Sequence, residues 1–110
     1  SQTLYFNIIP KGITGITKIT SKSKGFTVQW ATQQTATTGY QVQYSTSSSF
    51  SNATTITMPK NVYYAKSVTG LKGNKKYYVR IRTYTQTKFN GSNYNIYSPW
   101  CAVKSVVTGK

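Results

Sequence analysis

Proton-transfer catalysis needs a side chain that can give or take a proton near neutral pH, and this chain of 110 residues has no His, Asp or Glu. That excludes a Ser-His-Asp set and an oxygen-rich metal cage. Glycine-rich phosphate loops are also absent. Cys101 is the single cysteine. With no His beside it, it lacks the base that would make it a nucleophile, and alone it can form neither an internal disulfide nor a multi-cysteine zinc site. The expectation is a non-enzyme with no catalytic residue, no metal ligand and no cofactor. The groups left for binding are cationic and aromatic: Lys and Arg together number 14, and there are ten Tyr, four Phe and two Trp.

The formal charge of +14 has no internal counterweight. Three origins fit an acid-free chain: a basic domain, acids replaced by design, or amides standing at native acid positions. A basic domain of this size would be drawn to anionic polymers or surfaces. Along the sequence, however, the lysines are scattered. Only Lys72, Lys75 and Lys76 fall close together, and no nucleic-acid motif surrounds them, so nucleic acid is not an expected partner. Asn52-Ala53-Thr54 and Asn90-Gly91-Ser92 have the form of glycosylation sequons and carry no further weight here.

The elements that hold these groups read as strands almost throughout. Phe26, Val28 and Trp30 alternate with Thr27 and Gln29. Tyr40, Val42 and Tyr44 alternate with Gln41 and Gln43. Tyr77, Val79, Ile81 and Thr83 alternate with Tyr78, Arg80, Arg82 and Tyr84. Strands are expected over 16–21, 25–30, 40–44, 54–58, 65–69, 77–84 and 103–108. A Ser-rich loop covers 45–52, and a long loop covers 85–95 with an Asn90-Gly91 turn signal inside it. Seven short strands at this spacing predict an all-β fold, a seven-stranded antiparallel sandwich. Its core is expected to hold Phe26, Val28, Trp30, Tyr40, Val42, Tyr44, Leu71, Val79 and Ile81. No apolar run reaches membrane-span length. Residues 1–9 contain Leu4-Tyr5-Phe6 and resemble the cleavage tag Thr-Glu-Asn-Leu-Tyr-Phe-Gln, so they are expected to be a leader, an expression-tag remnant, with one domain over 10–110.

From Leu71 through Tyr77-Tyr78-Val79-Arg80-Ile81-Arg82 the chain resembles a fibronectin type III domain. The family has a Leu six residues before a Tyr that opens alternating apolar positions. The Phe26-x-Val28-x-Trp30 and Gly39-Tyr40-Gln41-Val42-Gln43-Tyr44 stretches match the family's earlier strands in order and spacing. Tyr44-Ser45-Thr46, Phe50-x-Asn52-Ala53 and Tyr97-Ser98-x-Trp100 are similar to modules of Gram-positive bacterial surface and secreted proteins. Those relatives often carry Asp at the Thr38 position, Glu at Gln41, a polar or acidic residue at Pro99 and Ser at Cys101.

The resemblance implies an immunoglobulin-like sandwich with Tyr77 as the structural tyrosine corner, its hydroxyl bonded to upstream backbone. It places Trp100 on the strand beside Arg80 and Arg82, where guanidinium and indole would stack in a ladder. By the alternation Tyr78 and Tyr84 face outward, and with Tyr94 and Tyr97 near the last hairpin they are expected as cross-strand pairs that hold a solvent-facing sheet, with an exposed aromatic patch for carbohydrate or protein as the alternative. The implied function is a non-catalytic spacer or protein-interaction domain of an extracellular or cell-surface bacterial protein, its partners being neighbouring domains. Two alternatives stand beside it. One is a carbohydrate- or protein-binding module using the Tyr/Trp face, with cell-wall polysaccharide or another surface protein as partner. The other is a basic module that binds polyanions. With no Arg-Gly-Asp, integrin-type binding is not expected.

Overall fold

The computed structural model describes residues 12, 13, 15–34 and 37–110, apart from the side chain of Phe89. The leader expected over 1–9 lies outside the described residues. Eight strands follow in chain order: β1 (Ile16–Lys22), β2 (Gly25–Trp30), β3 (Gly39–Ser45), β4 (Thr54–Met58), β5 (Ala65–Val68), β6 (Lys76–Phe89), β7 (Ser92–Tyr97) and β8 (Lys104–Val107). One sheet has the order β1-β2-β5. The other runs β4-β3-β6, and the far edge of β6 is shared by β7 and β8. Every strand pair is antiparallel.

The alternating stretches bury the faces their patterns predict. Phe26, Val28, Tyr40, Val42, Val79 and Ile81 are fully enclosed, and Trp30 is nearly so. Leu71 and Tyr44 pack at the margin of this core as partly buried groups, while Met58, Val68, Ile13 and Ile16 complete it. Aromatic rings bridge the two sheets. Trp30 of β2 meets Tyr40 of β3 edge-on at 5.5 Å. Phe26 meets Tyr44 at 5.8 Å and Tyr77 at 6.4 Å. Each fully buried side chain of this size contributes about 1.5–3 kcal/mol by leaving water, and the ring pairs add about 0.5–1.5 kcal/mol apiece.

Two features differ from the sequence reading. The long loop expected over 85–95 is a β-ribbon. β6 continues to Phe89 and turns back through Asn90 and Gly91, with φ of 53° and 79°, into β7. These positive values are those of a two-residue type I′ turn, whose twist matches its flanking strands. The apolar pattern fades after Tyr84, but the β-branched Thr85 and Thr87 keep the strand extended. The ribbon supplies the eighth strand. The second difference is Tyr84, expected to face outward yet only 4% exposed. It pairs in register with Gly39, which has no side chain, and the Tyr97 ring lies 6.3 Å away. Burial pushes the Tyr84 phenol above its ordinary pKa, and nearby Tyr97 adds to the effect.

Tyr40 is the buried tyrosine whose hydroxyl does the most tying. It donates to the Asn61 carbonyl at 2.7 Å and accepts from the Gln33 amide at 2.8 Å. Asn61 in turn donates through Nδ2 to the Thr37 carbonyl at 2.8 Å. The loops before β3 and after β4 are thereby fastened to one buried ring, whose phenol burial likewise raises above its ordinary value, the bond to Gln33 opposing.

Candidate functional site

Arg80 and Arg82 lie two residues apart on one face of β6, about 7 Å along the strand. The Trp100 ring centre is 4.5 Å from the Arg80 guanidinium carbon and 4.2 Å from that of Arg82, so the indole is held between them. The stack continues at both ends. Phe50 lies 4.0 Å from Arg80, and Tyr97 lies 3.9 Å from Arg82. The sequence Phe50–Arg80–Trp100–Arg82–Tyr97 is therefore one ladder of alternating rings and cations. Each contact is worth about 0.5–1 kcal/mol when exposed and more when partly desolvated.

The guanidiniums also anchor sideways across the sheet. Arg80 Nε donates to Gln43 Oε1 at 2.7 Å, and Arg82 Nε donates to Gln41 Oε1 at 2.9 Å. Each glutamine passes the bond on, Gln43 Nε2 to Thr55 Oγ1 at 3.0 Å and Gln41 Nε2 to Thr57 Oγ1 at 3.1 Å. Three strands are thus linked by two parallel rows. Burial draws the Arg82 guanidinium below its ordinary pKa, and the Arg80 charge pushes the same way, with Tyr97 opposing. No carboxylate faces either cation.

Gln43→Glu places a carboxylate on Arg80, and Thr55 can rotate its hydroxyl to donate to it. The variant should be more stable by about 0.5–1 kcal/mol at pH 7, the range of a partly exposed pair. The new carboxyl would titrate below its unfolded value, so the gain is present above pH about 4.3 and is lost as pH falls through the lowered folded value. Gln86→Glu on the exposed ribbon makes the same charge change without an arginine partner. Urea denaturation of both variants checks the idea, and an equal gain from Gln86→Glu would mean that only the net charge matters.

The segment between β7 and β8 is held by side-chain atoms that stand in for backbone acceptors. Ser98 N donates to the Thr83 carbonyl at 3.0 Å, while Thr83 N donates to Ser98 Oγ at 2.9 Å. Cys101 N donates to the Ile81 carbonyl at 2.8 Å, and Ile81 N donates to Cys101 Sγ at 3.3 Å. These pairs clamp residues 98–101 along β6 and so set Trp100 between the arginines. Burial pushes the Cys101 thiol above its ordinary pKa, with the bond from the Ile81 amide opposing.

Phe50 is the ladder member that sequence reasoning missed. It sits in the Ser-rich loop with φ 60°, a left-handed conformation uncommon for a bulky residue. The loop enforces it. Phe50 N donates to the Ser47 carbonyl at 2.9 Å, Ser45 Oγ donates to the Ser51 carbonyl at 2.7 Å, and Ser47 N donates to Ser45 Oγ at 3.0 Å. The signal present in the sequence was the Phe50-x-Asn52-Ala53 stretch, and Asn52 shares the positive φ at 53°.

The other expected site residues separate. Tyr78 is half-buried beside the ladder, with Lys76 Nζ 5.3 Å from its ring centre. Tyr84 is buried. Tyr94 pairs with Thr87 while Tyr97 pairs with Tyr84, so Tyr94 points to the opposite face of the ribbon, 50% exposed. The four tyrosines do not make one aromatic surface, because the odd spacing from 94 to 97 reverses the face. Tyr77 has its hydroxyl 3.2 Å from the Lys72 amide, which donates to it. Among the described residues no group of His, Cys, Asp or Glu could hold a metal ion, and no helix is long and apolar enough to cross a membrane.

Comparison with known proteins agrees with this architecture. A segment of chicken contactin, the FN1-FN3 domains of CNTN1, superposes with a TM-score of 0.70 at 20% identity over 92% of this chain, which spans 33% of that one. The fn3 domain of human contactin 1 gives 0.64 at 14% identity, covering 94% of this chain and 87% of that one. An Fn3-like protein from Clostridium thermocellum gives 0.58 at 18% identity, covering 91% and 97%. At these identities the likeness shows the fold. A search of curated protein sequences found no match. The family model described as Fibronectin type III domain matches residues 9–97. On that match, which takes in most of the chain, the protein belongs to the fibronectin type III family.

Proposed function

We propose that this domain is a non-catalytic spacer or protein-interaction module within a larger extracellular protein of bacterial type. One observation carries the reading: the described chain enters and leaves at opposite ends of the sandwich. It enters β1 at Ile16. At the far end of that strand, Gly109 N donates to the Lys22 carbonyl at 2.8 Å. Entry and exit are thus about 20 Å apart along β1, the arrangement that strings modules end to end. The ladder supports the same reading, since it spends the Trp100, Tyr97 and Phe50 rings on internal cations and stiffens the long axis.

In the full-length protein, exchanging this domain for an unrelated one of the same fold and length should leave activity within about twofold, whereas deletion should lower it. Failure of the exchange, with both proteins folded, would assign a specific interaction instead of spacing. Glycan-array binding that disappears on Trp100→Ala would overturn both in favour of carbohydrate recognition.

A further inference from the structure

The lysines that look scattered in the sequence are gathered by the fold. The β1–β2 turn, the segment before β6 and the last residues of the chain form one hydrogen-bonded knot. Lys24 N donates to the Gly109 carbonyl at 3.0 Å, and Leu71 N donates to the Lys24 carbonyl at 3.0 Å. Asn74 N donates to the Thr108 carbonyl at 3.1 Å, and Thr108 N donates to the Lys75 carbonyl at 2.9 Å. Thr108 Oγ1 donates to the Lys72 carbonyl at 2.5 Å and accepts from the Lys75 amide at 3.0 Å. Ser23 Oγ bonds the Lys110 carbonyl. Lys22, Lys24, Lys72, Lys75, Lys76 and Lys110 therefore share one pole of the sandwich, and all six are exposed. The chain has no acidic side chain to neutralise them.

We infer that this pole is a binding site for a linear polymer bearing phosphate or sulfate groups. The chemistry of the pole selects that ligand class. Lysine ammoniums are hydrated point charges on flexible stems, suited to a run of anionic groups more than to one shaped contact. Protein interfaces are depleted in lysine and rich in aromatics at their centres, and the ring beside the pole is Tyr78, half-buried with Lys76 Nζ 5.3 Å from its centre. A single covered ring is a poor platform for the successive stacked bases of single-stranded nucleic acid. A second copy of this chain is repelled, because both carry +14. Holding six like charges together without a partner is unfavourable, and an anionic chain laid across the pole removes that repulsion while releasing its own counterions.

The test compares two quadruple variants of equal net charge. One changes Lys22, Lys24, Lys72 and Lys75 to Gln at the pole. The other changes Lys18, Lys60, Lys66 and Lys88 to Gln elsewhere. Binding of long-chain inorganic polyphosphate and of heparin is measured by titration between 50 and 200 mM salt. For six contacts, the logarithm of affinity should fall against the logarithm of salt with a slope of about −4. The pole variant should lose more than about 30-fold at 50 mM salt and about three units of slope, while the other stays within about threefold. A pole variant with Arg at the same four positions should bind like the parent, which separates loss of charge from loss of fold. Whichever polymer binds more tightly identifies the phosphate or sulfate chemistry. Equal weakening in the two Gln variants, or binding of neither polymer by the parent, would overturn the inference.

Discussion

Trp100→Ala should lower stability by about 2–4 kcal/mol, more than any other single change on the outer sheet face. The indole is only half-buried, so its own transfer from water accounts for part of this. The rest comes from its place in the middle of the ladder. Removing it deletes two cation–ring contacts at once and leaves the Arg80 and Arg82 guanidiniums facing each other with no carboxylate near. Arg80→Ala should cost less, about 1–2 kcal/mol, because Trp100 keeps Arg82 and the inter-guanidinium repulsion disappears. The two changes together should cost less than their sum, as expected for neighbours that share partners. Tyr94→Ala is the control: its ring is exposed on the opposite face of the ribbon, and its loss should stay within about 0.5 kcal/mol. Urea denaturation with a common slope measures all four. An effect of Trp100→Ala no larger than that of Tyr94→Ala would reduce the ladder to a surface coincidence.

The ladder also shows where sequence reading reaches and where it stops. Period-two alternation made the core plain: Phe26, Val28 and Trp30 are all enclosed, as are Tyr40 and Val42. Alternation also put Arg80 and Arg82 on one outward face, and the family resemblance set Trp100 beside them. Phe50 could not be placed in the same way. Its loop has no period, and its position depends on a left-handed backbone that serine hydroxyls stabilise. Tyr84 follows the alternation but not its usual consequence, because the Tyr97 ring packs against it from across the ribbon. The basic pole is legible least of all. Ser23 and Lys110 lie 87 positions apart, and nothing local to either reports the contact. Local pattern fixes which face a residue occupies, whereas charge clustering depends on which ends of which strands meet.

The same dependence on strand meeting explains why Gly39→Ala should be among the most damaging single methyls added to the domain, at about 3 kcal/mol or more. A Cβ at Gly39 would stand 2.1 Å from the Met58 carbonyl oxygen and 3.1 Å from its carbon. Those are backbone atoms of the paired strand, so no rotamer change relieves the contact, and β3 must move from β4. That movement strains the Gln41–Thr57 bond and the Tyr40 bond to Asn61 in the loop that follows β4. Overpacking that a core can absorb costs about 1–3 kcal/mol, and here the sheet ladder itself gives way. For a domain of this size the shift in Tm would be about 12 °C or more. Gly91→Ala separates the two reasons a glycine can be required. It has a φ of 79° and nothing within 4 Å of its missing Cβ, so only the left-handed backbone resists, at about 1–2 kcal/mol. If thermal melting ranks Gly91→Ala as the worse of the two, close approach is not what requires glycine at position 39.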